Sequence, residues 1–367
     1  MSATSTERPL VLVTGGGGLI GSRIIEELSS DYRVIGFDIA QPPNSTSAEE
    51  WIECDLTDDD SVLTALSAVR GKYGQRLASV IHLAAYYDFS GEPSPLYRTL
   101  TVEGTRRLLQ RLQEFQVEQF VFSSTLLVMK PADEDELLTE KSNTQAEWDY
   151  PRSKLRAERV IREERGAFPA VILRIAGAYD ENCHSVPIAQ QISRIYEKQL
   201  ESYFFPGKKT HGQAFIHLDD LIDCFRKTVD RRQTLQSQEV LLIAEPDVMS
   251  YAELQEQIGE LIHGHEWPTV RIPKVVAKVG AWAQEKLAGK EETFIKPWMV
   301  DLADQHYPVA ISRAREELQW NPRHRLRDTL PEMIRCLQEN PRQWYETNKL
   351  PFPDDREADR ATGSSTG

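Results

Sequence analysis

Tyr150-Pro151-Arg152-Ser153-Lys154 holds the residue types in this chain best suited to proton chemistry. Tyr150 and Lys154 stand four apart, so on a helix they share one face. A phenol ionises at about pH 10 and is too weak a base for neutral pH. A neighbouring ammonium favours the phenolate and lowers that value. In that state Tyr150 accepts a proton from a substrate hydroxyl; in reverse it donates one to a carbonyl. Phe120-Val121-Phe122-Ser123-Ser124-Thr125 reads as a strand ending in hydroxyls, and Thr125 or its neighbour Ser124 is placed to orient the reacting oxygen. Tyr-x-x-x-Lys is common by chance, so the elements that hold it decide its meaning.

The first of those elements opens the chain. Leu10-Val11-Leu12-Val13 reads as a buried parallel strand. Thr14 and a run of glycines follow, and then Leu19, Ile20, Ile24, Ile25 and Leu28 recur at helical spacing. Strand, glycine turn and helix make the first half of a βαβ unit. Gly15, Gly18 and Gly21 let the backbone turn tightly and approach a pyrophosphate. The helix opening at Leu19-Ile20-Gly21 offers free N–H groups and the positive end of its dipole. A second strand, Arg33 to Phe37, ends at Asp38, 17 positions beyond Gly21. A carboxylate there accepts hydrogen bonds from two ribose hydroxyls and repels a 2′-phosphate. Ile39-Ala40-Gln41-Pro42-Pro43 supplies no arginine to welcome one. The pattern predicts NAD rather than NADP. A cationic nicotinamide would add to the pull of Lys154 on the Tyr150 phenol, and Lys154 has a second role in holding the nicotinamide ribose.

Further along, Trp51 to Cys54 reads as a short third strand ending in Asp55-Leu56, with a helix from Thr57. Ser79 to Ala85 is a fourth strand running into Ala84 and Ala85, small residues that leave room for a flat cofactor. His82 is read as packed at the strand end rather than catalytic. A helical pattern runs through Leu100, Leu108 and Leu112. The acidic loop Ala132 to Glu147 has few apolar anchors and is expected to be mobile beside the site. Ala170 to Ile175 is a sixth strand. This alternation predicts an open, doubly wound parallel sheet, a Rossmann-type α/β fold. Beyond Gly177 the rhythm breaks. A helix from Ile188 to Leu200, a strand from Phe215 to Asp220 with a helix after it, and a strand from Val240 to Ala244 are expected. Ser250 and Glu253 form a capping box for another helix, and residues 275–288 read as amphipathic. Residues 9–180 are therefore assigned to an NAD-binding domain, to which 213–245 returns. Residues 181–212 and 246–340 make a smaller, mostly helical C-terminal substrate lobe, and 351–367 a disordered tail.

Composition narrows the partners. With 40% hydrophobic and 27% charged residues the chain is globular, and a net charge of −14 argues against nucleic acid or an anionic membrane. Met1 to Pro9 lacks the apolar core of a signal peptide, and no run reaches membrane-spanning length. Cys54, Cys183, Cys224 and Cys336 are scattered without metal-type or redox pairing. A cytoplasmic protein with reduced thiols, no metal and a small-molecule substrate is expected.

On these motifs the chain resembles the extended short-chain dehydrogenase/reductases. That branch includes nucleotide-sugar epimerases and dehydratases, 3β-hydroxysteroid dehydrogenases and dihydroflavonol reductases. Thr14-Gly15-x-x-Gly18-x-x-Gly21 matches its glycine motif, Asp55-Leu56 its adenine-contacting pair, Ala84-Ala85 its post-strand alanines and Tyr150/Lys154 its catalytic pair. Thr125 stands 25 positions before the tyrosine, the spacing of the sugar epimerases. Phe215 to Leu221 and Arg315 to Pro322 resemble two later signatures, and the likeness spans residues 9–340. It also implies a homodimer through helices at about 97–115 and 149–165, although the second carries Arg156, Glu158, Arg159, Arg162, Glu163, Glu164 and Arg165, many charges for a seam. Three departures stand out. Thr101 replaces an asparagine near the cofactor. Gly177 follows the sixth strand where sugar-nucleotide enzymes usually carry an asparagine that meets a ligand phosphate. Leu126-Leu127 replaces the Asp-Glu pair with which the dehydratases eliminate water. The resulting expectation is an NAD-dependent oxidoreductase exchanging a hydride with a secondary alcohol or ketone. The alternatives are a nucleotide-sugar epimerase that retains its NAD and a non-catalytic NAD-binding sensor. Tyr86, Tyr87, Phe89, Tyr179, Phe204, Phe205 and Trp298 hint at a partly hydrophobic substrate.

Overall fold

Seven short segments, most of them apolar, pair side by side, all parallel, in a computed structural model that describes residues 8–41, 47–88, 92–133, 136–205, 207–272 and 305–354. They are β1 (Leu10–Thr14), β2 (Arg33–Asp38), β3 (Glu50–Glu53), β4 (Ser79–His82), β5 (Phe120–Thr125), β6 (Ala170–Ile175) and β7 (Gln238–Ile243). Their spatial order is β7-β6-β5-β4-β1-β2-β3. The chain winds outward one way from β1 and then the other way from β4, so a crevice opens at the carboxyl ends of these two strands. Thr14 pairs with His82 there, and His82 with Phe122 of β5.

The strands are rich in Val, Ile, Leu and Phe because helices cover both faces. On one side lie α1 (Leu19–Leu28) and α6 (Leu218–Asp230), over a core with Val11, Val13, Ile24, Leu221 and Phe225. On the other lie α2 (Asp59–Tyr73), α3 (Glu103–Leu112) and α4 (Asp149–Glu164), over Leu12, Phe120, Phe122, Leu108 and Ile161. A third apolar cluster unites α5 (Val186–Tyr196), α7 (Tyr251–His263), α9 (Leu326–Glu339) and α10 (Pro341–Thr347), with α8 (Ser312–Leu318) packed near β7. The Ser250/Glu253 capping box is formed in full.

Several boundaries differ from the sequence expectation, each for a local reason. Helix α2 starts at Asp59, not Thr57. Thr57 gives its N–H and hydroxyl to Asp55, and Asp58 caps the helix by accepting from the Asp60 N–H. β4 stops at His82, and α6 begins at Leu218 directly after the strand Phe215–His217. A π-helical segment, Tyr97–Val102, leads into α3. The acidic loop is tethered rather than free. Leu138 is buried and bridges Val309, and the Ala132 N–H donates to the His306 carbonyl. At the C-terminus Phe352 sets its ring against Tyr345, with centroids 5.4 Å apart. The expected helix at 275–288 and the tail beyond 354 lie outside the described residues. Among those described, no helix is long and apolar enough to cross a membrane. None of the four cysteines is in a disulfide.

Candidate active site

The glycine turn forms a tight cradle between β1 and α1. Gly15 adopts φ 72°, and a Cβ there would lie 2.8 Å from the Ala84 backbone nitrogen. A Cβ on Gly21 would lie 2.2 Å from the Gly15 carbonyl, so α1 packs onto the turn only because that atom is missing. Gly18 is the helix N-cap, with no side-chain cap bond. Among the described residues no side chain accepts from the first-turn amides of Leu19, Ile20 and Gly21, which leaves them open to an anion. Asp38 stands at the rim. Its carboxylate accepts from the Gly17 N–H at 2.9 Å and the Ile39 N–H at 2.8 Å. Asp55 and Leu56 follow β3; Asp55 is half-buried and Leu56 buried. Ala84 and Ala85 are half-buried just past β4. Thr101 is buried and accepts from the Tyr86 N–H at 3.1 Å, so it holds the segment after β4 in place. Together, an unobstructed turn, a helix end, a ribose-type carboxylate and two small residues fit NAD.

His82 is structural, as expected. It is fully buried, with Nδ1 2.6 Å from the Thr14 hydroxyl and Nε2 2.9 Å from that of Thr105. Burial, with the Lys154 charge nearby, pushes its pKa down to about 3, so the ring is neutral.

Across the crevice, α4 starts at Asp149 and carries Pro151 in its first turn, where a missing N–H costs little. Tyr150 is half-buried, with its phenol hydrogen-bonded to Thr125. Lys154 is buried; its Nζ donates to the Ser123 carbonyl at 2.7 Å and sits 4.8 Å from the Phe122 ring centre. Thr125, Tyr150 and Lys154 thus gather at one place. Ser124 does not join them. Its hydroxyl is taken up by Glu158, two turns further along α4, donating to Oε1 at 2.6 Å.

Two electrostatic outcomes differ from the simple picture of an ammonium lowering the phenol. Burial, helped by Tyr87, raises the Tyr150 pKa, and the Thr125 hydrogen bond only partly opposes this. Burial also brings Lys154 down from 10.5 to about 7, against the pull of Glu158. From about pH 7 to 10.5 the folded chain therefore binds fewer protons at Lys154 than the unfolded chain, and this group's contribution to stability rises with pH across that window. Lys154→Met is accordingly expected to raise the thermal midpoint by about 2–4 °C at pH 7, with the gain shrinking towards pH 10. Scanning calorimetry at several pH values reads this directly; a gain that grows with pH would contradict it.

Aromatic residues flank the tyrosine. Tyr87, 54% exposed, meets Tyr150 edge-on with centroids 4.9 Å apart. Trp148, which the sequence reading passed over, lies at 5.5 Å. Its signal was its place just ahead of the catalytic-type tyrosine. Tyr86 packs against Tyr97, and Phe204 is 39% exposed. Tyr179 and Phe205 are fully buried core residues, which removes them as substrate contacts. Phe89 and Trp298 lie outside the described residues. Among the described residues, His217, Asp219 and His324 gather metal-type ligand atoms. The two rings stack at 4.0 Å and 20°, so their in-plane lone pairs point along nearly parallel planes, a poor arrangement for one ion. Asp219 is also paired with Arg23 at 3.0 Å.

Known proteins resemble this chain in sequence and in fold. The chain is 24% identical to human dTDP-D-glucose 4,6-dehydratase, covering 94% of each chain. It is 23% identical to a Mycobacterium tuberculosis 3 beta-hydroxysteroid dehydrogenase/Delta 5-->4-isomerase, covering 91% of each. Among solved structures, MoeE5 in complex with UDP-glucose and NAD superposes with a TM-score of 0.64 at 23% identity, over 90% of this chain and 98% of that one. A family model described as the NAD dependent epimerase/dehydratase family matches residues 11–244. With that match over most of its length, the chain belongs to the NAD dependent epimerase/dehydratase family and is an NAD-dependent enzyme of the extended short-chain dehydrogenase/reductase type.

Proposed function

We propose that this protein interconverts a secondary alcohol and its ketone, with Tyr150 as the acid/base, Thr125 orienting the reacting oxygen and Lys154 holding the nicotinamide ribose. The observation that carries this is the convergence of Thr125, Tyr150 and Lys154 at the carboxyl end of β5, across the crevice from the glycine turn. NAD, when bound, supplies or takes up the hydride. Tyr150 moves the hydroxyl proton, Thr125 fixes the oxygen by hydrogen bonding, and the Tyr87 and Trp148 rings narrow the approach and exclude water. An absorbance screen of hydroxy and keto compounds at 340 nm is expected to find one that forms or consumes NADH. A broad library that leaves the nicotinamide signal unchanged would defeat the proposal.

A nucleotide-sugar epimerase is the second reading, supported by the UDP-glucose and NAD bound in MoeE5. It predicts NAD that copurifies and sugar interconversion without net NADH. We rank it second because Gly177 has no room for a phosphate-binding side chain: a Cβ there would lie 2.9 Å from the Phe215 ring. A dehydratase is ranked lower still. Leu126 and Leu127 follow Thr125 and can neither protonate a leaving hydroxyl nor take an α-proton.

Asp38 is assigned to the adenosine ribose. Asp38→Ala is expected to weaken NAD binding about tenfold, the loss of roughly one charge-assisted hydrogen bond, and to leave NADP binding no weaker. Fluorescence titration with NADH and NADPH measures both; unchanged NADH affinity would remove Asp38 from the site. We further divide the chain into a cofactor unit, 9–180 with 213–245, and a substrate unit, 181–212 with 246–340. We place it in the cytoplasm, where free thiols persist. We also propose a homodimer through α3 and α4, which light scattering in solution tests.

A further inference from the structure

We infer that Glu158, acting with Ser124 and Arg174, is the positioning residue of this site: it locks α4 against the ends of β5 and β6 and sets a fixed negative charge one helical turn from Lys154. This rests on the reading of Tyr150 and Lys154 as the catalytic pair.

Tyr150, Lys154 and Glu158 occupy successive turns of one face of α4. Glu158 looks like one more surface charge in the sequence, yet it is fully buried. Its Oε1 accepts from the Ser124 hydroxyl at 2.6 Å and from Arg174 Nε at 3.0 Å; its Oε2 accepts from Arg174 Nη2 at 2.8 Å. Arg162 stands 3.7 Å from Oε2, and Arg174, itself buried, places Nη1 on the Met129 sulfur at 2.9 Å. Such a pair adds little net stability because two desolvated charges offset their attraction. What it does add is register. Three consecutive residues of β5 meet three successive turns of α4: Thr125 with Tyr150, Ser123 with Lys154 and Ser124 with Glu158. A slide of α4 that displaced the phenol would also break the Ser124 and Arg174 bonds, and misplacement of about 1 Å at a reacting group is costly.

The charge has its own role. The groups facing Lys154 are Tyr150 and Glu158 on α4, the Ser123 carbonyl and Phe122 ring on β5, and the neutral His82 on β4. Burial favours the uncharged amine, and the Glu158 carboxylate favours the ammonium. Removing that carboxylate leaves burial unopposed.

The test titrates the ligand-free full chain, labelled with 13C at lysine Cε, by NMR, with Lys154 assigned from Lys154→Arg. NAD+ binding is followed in parallel by tryptophan fluorescence from pH 6 to 9. Glu158→Gln is expected to lower the Lys154 midpoint by at least about 0.5 pH unit, and the pH at which NAD+ affinity falls should move with it. Glu158→Asp, which keeps the charge, should leave the midpoint near the wild-type value. Ser124→Ala should lower the thermal midpoint without moving the titration. If Glu158→Gln does not fold, Glu158→Gln combined with Arg174→Met removes both buried charges and is expected to shift the midpoint in the same direction. An unmoved midpoint in the folded variant overturns the inference. NAD+ that binds at no pH overturns the preceding functional reading instead, and the ligand-free titration still decides this one.

Discussion

Tyr150→Phe is expected to reduce turnover by about 10²–10⁴-fold while NAD affinity changes by less than about twofold. The substitution removes one oxygen and keeps the ring that packs between Tyr87 and Trp148. The glycine turn, Asp38 and Lys154 remain as they are, so cofactor binding has no reason to fail. What disappears is the atom that hydrogen-bonds Thr125 and that the proposed function makes the carrier of the substrate proton. Turnover of whichever substrate the absorbance screen identifies, measured beside NADH fluorescence titration, separates the two quantities. Retained turnover would move the acid/base role elsewhere.

Gly21→Ala is expected to be almost as damaging by a different route. The new Cβ would lie 2.2 Å from the Gly15 carbonyl and 2.8 Å from the Gly16 Cα. Both are backbone atoms, so α1 must lift off the turn. The first-turn amides assigned to the pyrophosphate lift with it. NADH affinity should fall by about 100-fold, about 2.7 kcal/mol, and the thermal midpoint should drop, since the strain sits in the β1–α1 core. Gly71→Ala supplies the control. Gly71 lies inside α2 with nothing within 4 Å of its added Cβ, so that change should stabilise by about 0.5–1 kcal/mol and leave NADH binding alone. A Gly21→Ala protein that binds NADH normally would show that the cradle lies elsewhere.

Much of this site was legible because it is local. A strand, a glycine turn and a helix are contiguous, so β1, the Gly15–Gly21 cradle and Asp38 follow from pattern and spacing, and β5 and β6 have the bounds their residues suggest. The four-residue spacing of Tyr150 and Lys154 is equally local. Other features depend on how distant elements dock. Which of Ser124 and Thr125 meets the tyrosine is decided by how α4 docks on the end of β5, where Glu158 takes up the Ser124 hydroxyl. The burial of Glu158 is decided by Arg174 arriving from β6. The depressed pKa of Lys154 is a desolvation effect of the packed core and has no trace in a heptapeptide. The acidic loop showed few apolar anchors and no sign of its tether, because the partner of Leu138, Val309, comes far later in the chain.

That last contact bears on how the enzyme is made. Synthesis proceeds from the N-terminus, and domains fold as they emerge. A nascent chain that has reached residue 272 already contains all seven sheet strands, the glycine turn, Thr125 and Tyr150. The loop that leads into Trp148 and Tyr150 still lacks its clasp, because His306 and Val309 have not yet appeared. The border of the candidate active site therefore closes only after the strands and glycine turn of the cofactor cradle have emerged. Until then the nascent enzyme has a place for its cofactor but an unfinished wall beside its tyrosine.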